Sequence, residues 1–139
     1  MKHLNQQAKR IMDKLTAPLN GVGSATKFDA HDYATKQGGI MAVSVECVNE
    51  IKSGKVYSVT HYYEQNGDLM SDPDMTFVKA IDGNYYPLSY QQDNLGIYQE
   101  VVAEYDEAGN ILKYKPRLQA DLVIFANQWM RNIKDQQNL

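Results

Sequence analysis

The chain has one cysteine, Cys47, in 139 residues. A lone thiol cannot close an internal disulfide, which agrees with a reducing compartment and leaves packing alone to hold the fold. No apolar run approaches the roughly 18 residues that a spanning helix needs. The opening stretch MKHLNQQAKRIMDKL is basic, but it has neither an apolar central segment nor a small-residue cleavage site. A secretory signal is therefore not expected, and the default location is the cytoplasm. Cys/His clusters with zinc-ligand spacing are absent, as is the D-x-[DN]-x-[DN]-G spacing of a calcium loop. Gly21-Val22-Gly23-Ser24 is glycine-rich, but no Lys-Ser/Thr follows it and it does not join a strand to a helix, so it is not a phosphate cradle. No cofactor is expected.

Positive charge is scarce where it would matter for nucleic acid. Residues 56–112 carry Lys79 alone against ten Asp and Glu, a net of −9, whereas residues 1–55 and 113–139 are each +3. An acidic middle between two mildly basic ends argues against direct nucleic-acid binding and suits a partner protein with a basic surface.

What is present is an ordinary globular composition, 43% hydrophobic and 22% charged, in a length that suits a single domain over residues 1–139. Leu4, Ala8, Ile11 and Leu15 are spaced four, three and four apart, which predicts an amphipathic helix over residues 2–15. Residues 16–39 are rich in Gly, Ser, Thr and Asp and read as a long connection, with a short helical turn near His31. From residue 40 the period changes to two. Met41, Val43, Val45 and Cys47 share one face of a strand, and residues 56–64 follow as a second. Further strands are expected at 75–81, 85–90, 96–105 and 111–114, with turns at Ser53-Gly54, Asp82-Gly83-Asn84 and residues 107–110. Pro87 indicates an edge or a bulge. Leu118, Leu122, Phe125, Ala126, Trp129 and Ile133 predict a helix over residues 116–134, with Val123, Ile124 and Met130 widening its buried stripe and Pro116 in its first turn. The fold class is α+β: an antiparallel, mostly meandering sheet of five to six strands at 40–114, packed against N- and C-terminal helices.

Three constellations could carry chemistry. His61 with Asp68, Asp72 and Asp74 would offer oxygen and nitrogen ligands to a hard cation if the chain folds back at Asn66-Gly67. The plainer alternative is that residues 66–74 form a rigid turn whose aspartates accept backbone N–H bonds. Cys47 and His61 on neighbouring strands could make a nucleophile and base, although no oxyanion donor or third residue accompanies them. Nine of the ten tyrosines lie between Tyr57 and Tyr114, and Tyr62-Tyr63 and Tyr85-Tyr86 must each place one ring on either sheet face. Exposed tyrosines favour recognition, and here they stand among carboxylates. The candidate binding residues are Tyr62, Tyr63, Glu64, Asn66, Asp68, Asp72 and Asp74; ordinary half-buried sheet tyrosines with solvated carboxylates are the plain alternative.

The run Tyr62-Tyr63-Glu64-Gln65-Asn66-Gly67-Asp68-Leu69-Met70, followed by Asp72-Pro73-Asp74-Met75-Thr76-Phe77, resembles the YYEQNGDLMxDPxMxF signature of an uncharacterised domain family. That family is found on plasmids, phages and integrative conjugative elements of Gram-positive bacteria. The segment PLSYQQDNLGIYQE at residues 87–100 is similar to the same family, and the likeness spans roughly residues 39–105. The resemblance implies a mobile-element accessory protein of the bacterial cytoplasm, of a kind that sometimes counters host defence. It transfers no catalytic residue. The leading expectation is a non-enzymatic protein-binding module, of which a counter-defence inhibitor is one specific version. The alternatives are a metal-dependent enzyme using His61 and the aspartates, and a structural subunit of a conjugation or replication assembly that associates through the Trp129 helix.

Overall fold

The computed structural model describes residues 1–29, 42–65 and 67–139, with the backbone alone at 63–65, 68 and 69. The expected helical turn near His31 and the strand positions Ile40 and Met41 lie outside the described residues. Among the described residues two helices, α1 (Gln6–Thr16) and α2 (Pro116–Gln137), flank eight strands in chain order: β1 (Ala25–Phe28), β2 (Val43–Ile51), β3 (Gly54–Gln65), β4 (Asp68–Ala80), β5 (Tyr85–Gln92), β6 (Ile97–Glu100), β7 (Val102–Tyr105) and β8 (Ile111–Tyr114). The first six form one antiparallel meander in sequence order, and β7 and β8 form a separate two-stranded ladder. The class is α+β as the alternation of periods implies. No helix among the described residues is long and apolar enough to cross a membrane.

The helix spacings translate directly into burial. Leu4, Ala8, Ile11 and Leu15 are all buried. The helix begins at Gln6 rather than residue 2 because Asn5 caps it, its side-chain oxygen accepting from the Ala8 N–H at 2.8 Å, a bond that satisfies one of the otherwise orphaned donors of the first turn. Leu4 before it runs along the sheet, donating its N–H to the Tyr85 carbonyl at 3.0 Å. In α2 the stripe Leu122, Val123, Ala126, Trp129, Met130, Ile133 is buried, and Gln137 extends it by one turn past residue 134. Ile124 does not widen that stripe as expected: it is 70% exposed, because one residue beyond Val123 is a further 100° around the helix.

Both helices cover the inner face of the sheet. Val43, Val45 and Cys47 of β2, Tyr57 and Val59 of β3, and Met75 and Phe77 of β4 join the helical residues in one core. Each buried side chain of this type contributes about 1.5–3 kcal/mol relative to exposure. Among the described residues the outer face is covered at one end, where Val56, Val78, Leu88 and Val102 make a second, smaller cluster under the β7–β8 hairpin.

Three expectations are corrected. Residues 16–39 are not a structureless connection, since ATKF at 25–28 pairs with β2 as an edge strand, with Phe28 opposite Val43. Four residues carry too little periodicity to stand out among Gly, Ser and Thr. Residues 96–105 are not one strand. Val101, fully buried, breaks them, donating to the Leu88 carbonyl at 2.8 Å while its own carbonyl accepts from the Lys115 N–H at 2.9 Å, so the chain leaves the six-stranded sheet and crosses to its outer side. Residues 68–74 are not a turn but the first half of β4. Pro87 does sit at a bulge: Thr76 pairs with Ser89 and Phe77 with Pro87, leaving Leu88 as the extra residue. The β2–β3 reversal needs Gly54, with φ of 149°, because a Cβ there would collide with the Lys79 carbonyl oxygen on β4.

Candidate functional site

The β3–β4 hairpin carries the residues singled out from sequence. Gln65 pairs with Asp68, and Gly67 just before Asp68 has a φ of 85°. Tyr63 pairs with Met70 and Glu64 with Leu69; the side chains of Tyr63, Glu64 and Asp68, and Asn66 itself, lie outside the described residues. Below the tip, Tyr62 pairs with Ser71 and Thr60 with Asp74. Three steps on β4 therefore answer two on β3, which makes a bulge of Asp72 and Pro73 opposite His61.

That bulge decides where the aspartates go. Asp72 and Asp74 stand two apart in sequence, a spacing that shares one face of a regular strand. The extra residue separates them instead. The charge of Asp72 is felt by His61 and Tyr90 on the helix side, whereas Asp74 bonds to the Thr60 hydroxyl on the outer side. Asp72 and Asp74 therefore do not converge on His61 together, and the Asp68 side chain lies outside the described residues; among the described residues no group of three His, Cys, Asp or Glu could hold a metal ion. The Cys47–His61 dyad fails by register. Cys47 pairs with Tyr57 and His61 with Val43, four residues apart along the strand, or about 13 Å. Cys47 is fully buried, and burial pushes its thiol upward in pKa, away from the reactive thiolate.

What the structure does bring together is the polar half of the outer sheet face, over which no element among the described residues is laid and in which Thr60 is 1% and Ser89 8% exposed. Ser44 and Glu46 of β2 pair with Thr60 and Ser58 of β3. Thr60 and Ser58 in turn pair with Asp74 and Thr76 of β4, and these with Gln91 and Ser89 of β5. Tyr98 and Glu100 of β6 continue the row opposite Gln91 and Ser89. Small hydroxyl side chains make this surface low, and a concavity of about 420 Å³ lies over β1 to β3 with Tyr62 at its end and Lys27 of the edge strand at its rim.

The electrostatics of that half are one-sided. Burial raises the pKa of Asp74, and the charges of Asp93 and Glu46 raise it further; the bond from Thr60 opposes them. Its Oδ1 is shielded from solvent and has no hydrogen-bond partner. Asp93 is held low in pKa by the Ser71 N–H at 2.7 Å and the Gln91 amide at 2.8 Å. Tyr98, 63% exposed, donates its hydroxyl to Glu100 at 2.7 Å. Among the described residues, none of Glu46, Asp74, Asp93 or Glu100 has an ion-pair partner. Of these, Asp74 is a candidate from the sequence, whereas Glu46, Asp93 and Glu100 are not singled out there; the period-two spacing of Ser44/Glu46, Ser58/Thr60, Asp74/Thr76, Ser89/Gln91 and Tyr98/Glu100 puts each pair on one face of its strand but does not show which strands adjoin. The sequence also anticipated that the tyrosines would divide. Tyr57 and Tyr85 are buried while Tyr62, Tyr98, Tyr105 and Tyr114 are exposed.

The inner side of the same hairpin is aromatic. His61 is 6% exposed and meets Trp129 edge-on, with ring centroids 5.4 Å apart. Phe125 lies against Trp129 at 6.1 Å and Tyr90 meets Phe125 edge-on at 5.3 Å.

A family described as a domain of unknown function (DUF6908) matches residues 6–139, nearly all of this sheet and both helices, and the chain belongs to that family. No curated protein matches the chain, and no solved structure does.

Proposed function

We propose that this member of the family is a non-enzymatic protein-binding module that presents the open, acidic half of its sheet and the adjoining hairpin tip to a basic surface of a partner protein. The observation that carries this reading is the row Glu46, Asp74, Asp93 and Glu100, which has no cation paired to it among the described residues, together with the unused acceptor on Asp74. A Lys or Arg side chain from a partner would supply the missing donor. Hydrogen bonds to a charged partner of this sort are worth about 1.5–3 kcal/mol each. Tyr62 and Tyr98 flank the row with rigid rings, which add contact area at small entropic cost. The low hydroxyl floor between them admits a protruding side chain or strand. The mobile-element setting that the hairpin motif implies supports one version, a counter-defence inhibitor seated in the basic groove of a host nuclease.

Neither alternative has a comparable observation behind it. Among the described residues the metal-dependent reading has no group of three ligands. For the assembly-subunit reading, the face of α2 that carries Trp129 is spent on the sheet. The test is cross-linking capture from the native host with wild-type protein and the double variant Glu46→Lys, Glu100→Lys. Captured partners should be basic and should be released by raising salt from 0.05 to 0.5 M, on the order of the change that collapses the Debye length severalfold, and the double variant should lose them while unfolding at the wild-type temperature. Equal capture by the variant refutes the reading.

A further inference from the structure

We infer that His61 is a proton-sensitive latch that fastens the Phe125–Trp129 segment of α2 to the sheet when neutral and releases it when protonated. The lone tryptophan donates its indole N–H to His61 Nδ1 at 3.4 Å. An indole nitrogen can only donate, so Nδ1 must be the acceptor, which fixes the ring as the neutral tautomer with its proton on Nε2. Protonation would place a second N–H on Nδ1, donor facing donor, and the bond between helix and sheet would be lost. The neighbours of the ring among the described residues offer it no acceptor for that proton. Val43 of β2 stands opposite it, the Asp72–Pro73 bulge of β4 closes one side, and the edge-on indole closes the other. Its Nε2 has no hydrogen-bond partner, so the imidazolium would also be a buried cation with an unsatisfied donor.

The groups around the ring set the balance. Among the described residues Asp72 is the charged group acting on it, from β4. From α2 it meets Trp129 with Phe125 behind, from β2 Val43, and from β5 the titratable Tyr90 stands beyond Phe125. Burial lowers the His61 pKa, and Asp72 offsets part of that. The folded pKa lies below the unfolded value, so the contribution is fully present above about pH 6.5. It is lost as pH falls toward the folded pKa and is constant below it.

Trp129 is also the probe. Its emission, and the single indole N–H resonance, should titrate reversibly between pH 7.5 and 4.5 with a midpoint below 6.5, while the folding equilibrium weakens by up to about tenfold for each pH unit below the unfolded pKa. His61→Phe keeps the edge-on ring contact and should abolish the transition. Asp72→Asn, at a half-buried position, removes the carboxylate that favours the imidazolium and should move the midpoint to lower pH. A flat wild-type titration, an unchanged transition in His61→Phe, or an unchanged midpoint in Asp72→Asn each overturns the latch. If His61→Phe does not fold, the Asp72→Asn midpoint decides alone.

Discussion

The two halves of the outer sheet face lie on the same strands, and moving two to four residues along each strand converts one into the other. On β3 the outward positions read Val56, Ser58, Thr60; on β4 they read Val78, Thr76, Asp74; on β5, Tyr86 gives way across the bulge to Ser89 and Gln91. At the first end the side chains are apolar, and the β7–β8 hairpin covers them with Val102 and Ile111. At the second they are small and hydroxylic, and nothing among the described residues is laid over them. The backbone ladder is continuous throughout, so the difference is one of side chains. Branched apolar residues gain by removal from water, whereas Ser, Thr and Asp would each lose a hydration partner that a covering element would have to replace. A sheet face can thus be half apolar core and half hydroxylic and acidic, and the boundary lies between Val56 and Ser58.

Truncating the covered half should have the largest effect. Leu88 is the extra residue of the β5 bulge, it is 5% exposed, and its carbonyl accepts the N–H of Val101 where the chain crosses over. Leu88→Ala should cost about 2–4 kcal/mol by lost transfer energy and a cavity that the bulge cannot collapse to fill. Urea unfolding measures it; a loss below about 1 kcal/mol would mean that the hairpin is a loose cover and that the two halves differ less than their burial implies.

A substitution on the open half should cost less. Thr76 shares a hydroxyl–hydroxyl hydrogen bond with Ser89, and Thr76→Ala leaves a largely buried Ser89 without that partner. The expected cost is about 1 kcal/mol. The contrast with Leu88→Ala is sharpest in the urea midpoint, while the unfolding slope should stay unchanged for both if each acts on the folded state alone.

How far these halves could be read beforehand depends on how much sequence each feature occupies. The helices, the long strands and the turns at Gly54, Gly83 and Gly109 were legible because each repeats a period or a φ requirement over many residues or at a fixed dipeptide. The edge strand Ala25–Phe28 was not, since four residues give one alternation. The Asp72–Pro73 bulge was the costlier omission. Asp-Pro-Asp reads as a turn from its residues alone, and only the pairing of Thr60 with Asp74 and Tyr62 with Ser71 shows that it lies within a strand and sends the two carboxylates to opposite faces. Of the candidate surface, Tyr62 and Asp74 are among the residues that the sequence itself singles out. Their companions Glu46, Tyr98 and Glu100 come from strands distant in sequence, and no local pattern links them.

Asp74 gives the smallest change in stability and the most discriminating one, because its sign is opposite to the others. Burial and the charges of Asp93 and Glu46 raise its pKa above the usual carboxylate value, so folding disfavours its ionised form. A carboxyl raised in this way is neutral and costs nothing at a pH below its unfolded value, and it destabilises as pH rises through the folded pKa. Asp74→Asn keeps an oxygen for the Thr60 hydroxyl and removes the charge. The variant should therefore be more stable than wild type at pH 7, with the gain shrinking toward pH 3, when melting temperatures are compared across that range. The same variant should bind a basic partner more weakly, since the acceptor that lacks a donor in the free protein is the one a partner's cation would use. Stability and affinity moving in opposite directions is the behaviour of a site that tolerates strain for function. A loss of both together would make Asp74 an ordinary structural carboxylate and return the open half to plain solvated sheet.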